Sequence, residues 1–300
     1  MIEELFVRKF IKTIITLALL GTLIYMLEDK YKIIELAYDL VTSENTSEED
    51  FIHEIRQAML QGDEELVIKY IGQFETIDWF TEEAINMAYS IDDENTSSDF
   101  DYLKYKVESI YAQVNGLGNI LTVSYKFRYN ETASETKKVD DKIKKLLQKW
   151  NIDKLTDYEK IKKIHDFIIE NASYDTSMRK YSAYSNLFQK NSTCQGYMSL
   201  AYKMLTEAGI PCRVITGSGN GEAHGWNIVY LDGRWYNLDS TWDDPLTWNG
   251  EEILTYDFFL KADKDFPNHI RDKEFQNEEF NKNYVMSKES YKEHKESDKD

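Results

Sequence analysis

The dipeptide Asp232-Gly233 constrains the fold of this chain most strongly, because it fixes the register of a predicted β-hairpin. An Asp-Gly pair between two apolar runs is typical of a two-residue hairpin turn. Counting outwards from that turn places Trp226 opposite Asp239. His224 lies two residues before Trp226, so it shares a face with Asp239 and lies diagonal to it. Diagonal neighbours are separated by about 7 to 8 Å, which a hydrogen bond between an aspartate and a histidine side chain can bridge.

A cysteine stands at the predicted start of the helix that precedes this hairpin. The pattern Ser-x-x-Gln beginning at Ser192 fits a capping box, which places Cys194 in the first helical turn. Gly209 and Pro211 mark the end of the same helix. The unpaired amides and the positive end of the helix dipole favour a thiolate there, and the thiolate is the nucleophilic form. The amides are also near enough to stabilise an oxyanion, with Tyr197, Gln195 or a side chain upstream as further candidates.

Cysteine, histidine and aspartate in this arrangement predict a nucleophilic triad of Cys194, His224 and Asp239. The aspartate holds one tautomer of the imidazole, and the other ring nitrogen faces the thiol. A second interpretation makes Cys194 a buried apolar residue and the His–Asp pair a structural hydrogen bond. Cys212 is predicted to be a buried structural residue, although a Cys194–Cys212 disulfide, which would silence the triad, is an alternative.

Three other residues could carry charge in this region. His165 lies on the apolar face of a helix predicted to begin at a capping box, and it reads best as a core histidine with satisfied hydrogen bonds. Asp243 and Asp244 could bind a cation or replace Asp239 as the partner of the histidine. The register of the hairpin favours Asp239.

Several ordered motifs in this part of the chain form a specific pattern. They are Asn191–Tyr197 (NSTCQGY), Ala208–Val214 (AGIPCRV), His224–Val229 (HGWNIV) and Gly233–Pro245 (GRWYNLDSTWDDP), with Ile164–Ile168 and Tyr174-Asp175 upstream and Phe258–Leu260 and His269 downstream. From about Asp157 to His269, the sequence resembles the bacterial transglutaminase-like superfamily.

The resemblance implies a papain-like α+β fold, in which a helix carrying the cysteine packs on an antiparallel sheet carrying His and Asp. It implies that Cys194 is the nucleophile, His224 the general base and acid, and Asp239 the orienting carboxylate. The expected activity is thiol acyl transfer to or from a carboxamide or peptide carbonyl through a thioester. A cysteine peptidase or amidase acting on cell-wall or protein substrates is an alternative. So is a non-catalytic surface module, because the superfamily includes all of these.

Composition excludes several other functions. Acidic residues outnumber basic ones by 54 to 36, and the net charge of −18 argues against binding to nucleic acid. Two cysteines and five histidines without an HExxH pair provide no recognisable metal site, and no EF-hand is present, so neither metal nor other cofactor is predicted. The expected partners are protein or peptide substrates, including those of a cell wall.

The N-terminus carries a membrane signal. Residues 13–27 form an uncharged run of fifteen residues, preceded by Arg8, Lys9 and Lys12 and followed by Glu28 and Asp29. This charge bias predicts a single-pass membrane helix with the rest of the chain outside the cytoplasm. The run is shorter than the usual span of about 20 residues. A cleaved signal peptide, which would make the protein secreted, and a buried helix are the alternatives.

Changes in composition divide the chain into five predicted parts. Helical spacing from Phe51 to about Asn86 is followed by a hairpin around a Gly-Leu-Gly turn at 116–118, so this region reads as a small α+β module. The predicted parts are an anchor or signal (1–30), a linker (31–50), a helix-plus-hairpin module (51–150), a catalytic domain (151–275) and an acidic hydrophilic tail (276–300).

Overall fold

A computed structural model describes residues 2–31, 47–72, 76–117, 120–245 and 253–292, with backbone alone for 2–12 and 28–31. The helices are α1 (Ile2–Tyr31), α2 (Glu48–Gln61), α3 (Ala84–Ser90), α4 (Asp101–Lys106), α5 (Ala133–Trp150), α6 (Asp157–Asn171), α7 (Ala183–Gln189), α8 (Cys194–Glu207) and α9 (Glu278–Asn283). The strands are β1 (Glu65–Ile71), β2 (Val107–Leu117), β3 (Ile120–Tyr129), β4 (Ser173–Tyr174), β5 (Asn191–Ser192), β6 (Cys212–Gly219), β7 (Glu222–Leu231), β8 (Arg234–Leu238) and β9 (His269–Arg271). A π-helical turn covers Trp79–Glu83.

The C-terminal half contains the four-stranded antiparallel sheet that carries the predicted site. Its strand order is β8-β7-β6-β9, and α8 packs against it. The hairpin of β7 and β8 has the predicted register, from Leu231 opposite Arg234 to Asn227 opposite Leu238. Asp232 and Gly233 both have positive φ angles, as this turn requires. The strand β8 ends at Leu238, one residue before Asp239. The α+β architecture predicted from the sequence is therefore confirmed.

Helix α8 is the central element of the larger core. Its residues from Gly196 to Leu205 are all buried, and it contacts α6, α7 and the sheet. Gly209 follows it with a φ of +79°, a left-handed conformation that glycine adopts without steric cost. Cys194 is the first residue of the helix, so the packing that orders α8 also fixes the position of the thiol.

The predicted capping box at the start of α8 is wrong. The N-cap is Thr193, because Ser192 is extended and pairs with Tyr174 in a short parallel sheet. The Ser192 hydroxyl accepts a hydrogen bond from Asn186 at 3.0 Å. The Gln195 side chain donates to the backbone carbonyl of Tyr105 at 3.0 Å instead of returning to the cap.

The N-terminal module is a three-stranded antiparallel sheet, in the order β1-β3-β2, with helices on one face. The predicted hairpin is present as β2 and β3. The helical spacing predicted from Phe51 to Asn86 is interrupted by β1, and Gly62 ends α2 in a left-handed conformation. Leu66, Ile68 and Tyr70 alternate with more exposed residues, and this period of two indicates a strand.

Charged contacts join this module to α8 and β6. The buried ammonium group of Lys203 lies 2.6 Å from Asp140, and Arg213 donates to Asp101 from Nε at 2.7 Å. Asp101 lies in α4, which also packs against α8. The module therefore supports the helix that carries Cys194, in addition to any binding role of its own.

The two ends of the chain were expected to be a membrane anchor and a hydrophilic tail. Among the described helices, including α1, none is long and apolar enough to cross a membrane, so the predicted transmembrane anchor is not supported. Residues 32–46 of the predicted linker and 293–300 of the predicted tail lie outside the described residues. The part of that tail at 276–292 contains α9, which Asn277 caps and which buries Phe280.

Candidate active site

The structure brings the three predicted site residues together from three different elements. Cys194 begins α8 and is half-buried, His224 lies near the start of β7, and Asp239 follows β8. The Nε2 atom of His224 lies 2.7 Å from Oδ2 of Asp239. Since Asp239 occupies Nε2, Nδ1 is the ring nitrogen that is left for the Cys194 thiol.

The electrostatics of this arrangement favour a charged imidazole. Burial of His224 opposes its protonation, but hydrogen bonds to Asp239 and Cys194 and their charges outweigh it, raising the pKa of His224 to about 10. Burial likewise opposes ionisation of Asp239, but hydrogen bonds from His224 and His269 lower the pKa of that carboxyl to about 2. An imidazolium beside a thiol stabilises the thiolate, which is the nucleophilic form.

The first turn of α8 leaves backbone donors beside the thiol. Thr193 makes no side-chain cap, and its buried hydroxyl oxygen has no hydrogen-bond partner among the described residues. The amides of Cys194 and Gln195 therefore face no capping side chain, and amides so placed can donate to an oxyanion. The two side chains predicted as further donors are engaged elsewhere: Gln195 with Tyr105, and the Tyr197 hydroxyl with Asp244 and Ala172.

The carboxylate of Asp239 is held on both of its oxygen atoms. Oδ1 accepts from the backbone amides of Thr241 at 2.9 Å and Trp242 at 3.2 Å. Oδ2 accepts from His224 and also lies 3.0 Å from Nε2 of His269 in β9. Sequence reasoning placed His269 in a motif but gave it no role, because thirty residues separate it from Asp239 and only the pairing of β9 with β6 brings them together.

The two histidines and Asp239 are the one group of metal-ligand type found among the described residues. Their ligand atoms lie within 4.8 Å of one another. The nitrogen-to-oxygen distances of 2.7 and 3.0 Å are those of hydrogen bonds. Ligand atoms around a tetrahedral zinc ion are separated by about 3.4 Å, so this geometry fits a hydrogen-bonded cluster better than a metal site.

The other candidates have structural partners. Nε2 of His165 lies 3.1 Å from Asp243, and Nδ1 lies 3.1 Å from Asp166, so His165 is the buried, satisfied histidine expected from its position. The interpretation of Asp243 as a substitute for Asp239 is wrong, because the fold directs it to His165. Asp244 accepts from the Tyr197 hydroxyl.

Both cysteines are free, so the alternative Cys194–Cys212 disulfide is absent. Cys212 is buried in β6, and burial raises the pKa of its thiol well above the ordinary value. A neutral, buried thiol does not compete with Cys194 as a nucleophile.

Comparison with known proteins finds similar sequences for part of the chain. Residues 144–240 match the transglutaminase-like superfamily. The chain is 29% identical to the kyphoscoliosis peptidase of Homo sapiens over 126 residues, which cover 36% of this chain and 18% of the relative. For the Mus musculus kyphoscoliosis peptidase, the identity is 28% over 109 residues, covering 30% and 16%. The chain thus spans less than a fifth of the length of these curated relatives.

Two solved structures are also similar. One is described as a TGase, with a TM-score of 0.34, 16% identity, and coverage of 69% of this chain and 60% of that one. The other is the periplasmic domain of TgpA from Pseudomonas aeruginosa, with a TM-score of 0.29, 14% identity, and coverage of 44% and 65%. Residues 144–240 are thus similar to the transglutaminase-like superfamily, and this match covers less than half of the chain.

Proposed function

We propose that this protein is a cysteine-dependent acyl-transfer enzyme that attacks a carboxamide or peptide carbonyl through Cys194. The observation that carries the proposal is the position of His224, which lies 2.7 Å from the buried Asp239 carboxylate and interacts electrostatically with the Cys194 thiol. A thiol, an imidazole and an orienting carboxylate in this order are the parts of a nucleophilic triad.

The chemistry follows from the positions of these groups. The Cys194 thiolate attacks the carbonyl carbon, and the negative charge on its oxygen is stabilised by the amides of Cys194 and Gln195. The imidazolium of His224 gives its proton to the departing amine as the carbon–nitrogen bond breaks, which leaves a thioester. His224 then takes a proton from water or from a second amine, which attacks the thioester and releases the thiolate. Water gives a carboxylic acid, and an amine gives a new amide.

Hydrolysis is the second candidate outcome of the same mechanism. The curated relatives are named as peptidases, and this favours a peptide or protein substrate cleaved by water. Transfer to an amine would require that an amine reach the thioester faster than water does. The two outcomes share Cys194, His224 and Asp239, so they differ only in the second acceptor.

One experiment can measure hydrolysis and transfer to an amine together. We expect wild-type protein to release ammonia or a peptide amine from glutamine-containing peptides, and in the transfer outcome to incorporate a fluorescent amine. Cys194→Ala should abolish either reaction, whereas Cys212→Ser, which changes the buried cysteine outside the triad, should retain it. Iodoacetamide should label Cys194 at neutral pH faster than it labels a free thiol.

A non-catalytic surface module makes the opposite prediction. If Cys194 in the wild-type protein reacts no faster than a free thiol and no peptide is turned over, the proposed enzyme is wrong. The incomplete burial of Cys194 and its interaction with His224 support the enzyme, because a structural cysteine is usually fully buried away from such partners.

We also propose an extracytoplasmic location, because basic residues followed by the apolar run at 13–27 also fit a secretory signal segment. Protease added to intact cells should then degrade the catalytic domain. Full protection of that domain, with degradation after lysis, would contradict this location without bearing on the chemistry.

A further inference from the structure

The second histidine on Asp239 makes two hydrogen bonds that together require two protons. The His269 ring is buried, its Nε2 lies 3.0 Å from Asp239 Oδ2, and its Nδ1 lies 2.9 Å from the carbonyl oxygen of Pro267. The carbonyl oxygen of Pro267 accepts hydrogen bonds and cannot donate one. The same holds for the Asp239 oxygen when the carboxylate is ionised. The ring therefore satisfies both contacts only as an imidazolium.

Aromatic rings surround this imidazolium. The centroid of the His269 ring lies 3.9 Å from that of Phe266, 4.2 Å from Trp242, 5.0 Å from Trp226 and 5.5 Å from Phe258. Aromatic faces attract cations, and the attraction is strongest where water is excluded. These four aromatic rings and Asp239 together stabilise a positive charge on His269. An uncharged His269 would leave one of its two hydrogen-bond contacts unsatisfied.

The other charged groups near His269 are few among the described residues. Asp239 is in direct contact with it, and the His224 ring lies 5.4 Å away between centroids. Arg271, the other cation of β9, donates instead to Asn237 and Asp263. His269 therefore interacts directly with Asp239, and it influences His224 and Cys194 through that carboxylate.

We propose that His269 is a positioning residue of the active site, which as a cation fixes the Asp239 carboxylate and thereby sets the orientation and charge balance of His224 and Cys194. This inference rests on the proposed function. Oδ1 of Asp239 is already held by two backbone amides, so the bond from His269 to Oδ2 removes the remaining freedom of the carboxylate to rotate. His224 is then directed by a fixed acceptor.

The proposal predicts how a neutral replacement changes the pH profile. His269→Gln keeps a hydrogen-bond donor but removes a positive charge. A nearby cation lowers the pKa of a thiol and of a histidine, so its loss should move both limbs of the pH profile of Cys194 alkylation upwards by about one pH unit. Turnover should fall about tenfold in kcat with little change in KM. His269→Phe, which keeps a ring but no donor, should lose more, about a hundredfold in kcat.

The matched control is His165→Gln. His165 is also buried and also lies between two oxygen acceptors, but its partners are Asp166 and Asp243. Its replacement should lower the melting temperature without moving either limb of the alkylation profile. A purely structural role for His269 would make the two glutamine variants behave alike, with unshifted limbs in both, and that result would overturn the proposal.

A measurement on the unmodified chain keeps the test independent of folding of the variants. In protein labelled with ¹⁵N-histidine, both ring nitrogens of His269 should carry hydrogen under the conditions of the alkylation assay. A neutral His269 tautomer under these conditions would overturn the proposal. Wild-type Cys194 that reacts no faster than a free thiol would instead contradict the proposed enzyme, so the two failures are distinguishable.

Discussion

Two clusters of histidine and aspartate lie in the same half of this molecule, and each takes a carboxylate from the segment that follows β8. The thiol-side cluster consists of Cys194, His224, Asp239 and His269. The buried cluster consists of His165, Asp166 and Asp243. In both, a histidine nitrogen lies about 3 Å from a buried carboxylate, at 2.7 Å for His224 and 3.1 Å for His165.

The difference between the clusters lies in what the second nitrogen of the histidine contacts. In the buried cluster it contacts another carboxylate; burial opposes protonation of His165, but its hydrogen bonds to Asp166 and Asp243 outweigh burial and raise its pKa. In the thiol-side cluster it is left for a half-exposed thiol. A His–Asp pair alone is therefore a structural device, and the nearby thiol at a helix start gives the pair its chemistry.

The largest expected effect is a difference in kcat between variants of Asp239 and Asp243. Asp239→Asn should lower kcat about 10³- to 10⁴-fold, because the amide no longer stabilises the imidazolium. Asp243→Asn should change kcat far less and should mainly destabilise the fold. Peptide turnover and thermal unfolding of both variants measure this contrast. Equal losses of kcat would break the distinction between the clusters.

The next effect concerns stability. His165→Gln removes the cation from between two carboxylates and should lower the free energy of unfolding by about 3 kcal/mol, since a broken buried ion pair leaves a charge uncompensated. Urea denaturation measures the loss. If this variant is as stable as the wild type, the buried cluster does not hold the fold together.

The pH dependence of stability follows from the two pKa shifts in the thiol-side cluster. The pKa of His224 is raised from 6.5 to about 10, so its contribution is fully present below pH 6.5 and is lost as the pH rises towards 10. The pKa of Asp239 is lowered from 3.8 to about 2, so its contribution is present above 3.8 and is lost as the pH falls towards 2.

His224→Gln tests the alkaline arm of this dependence. The difference in free energy of unfolding between wild type and variant should shrink steadily as the pH is raised from 6.5 to about 10. Denaturation curves across that range measure it. A difference that stays constant, or grows with pH, would mean that His224 is not charged in the folded protein.

The smallest expected effect concerns the support that the N-terminal module gives to the thiol-side cluster. Gln195→Ala removes one hydrogen bond to Tyr105 and should cost about 1 kcal/mol of stability. Because a backbone amide rather than this side chain is proposed as the oxyanion donor, kcat should fall by less than about tenfold. A loss of a hundredfold or more in kcat at unchanged stability would assign the side chain itself to the oxyanion.

Some of the site could be predicted from sequence because its contacts are local. The turn at Asp232-Gly233 sets the pairing of β7 with β8, and that pairing carries His224 towards Asp239. The Ser-x-x-Gln pattern likewise placed Cys194 in the first turn of α8. The exact cap was predicted wrongly, because Ser192 pairs with a strand that lies outside its own local pattern.

Other features depended on distant packing. The strand β1 was missed because its apolar residues also fit a helical spacing when read next to α2, and a partner strand 49 or more positions away decides between the two. The hydrogen bond between His165 and Asp243 joins residues that are 78 positions apart in the sequence. No local rule relates residues at such separations.

The sequence by itself therefore determined the hairpin register and the place of the cysteine at a helix start, because backbone geometry and short turns encode these directly. Only the tertiary structure decided that His269 shares Asp239 with His224, and that Tyr105 receives the Gln195 side chain. The physical reason is that side chains far apart in the chain meet only after the sheet and helices have packed, and burial then selects which charges can be satisfied together.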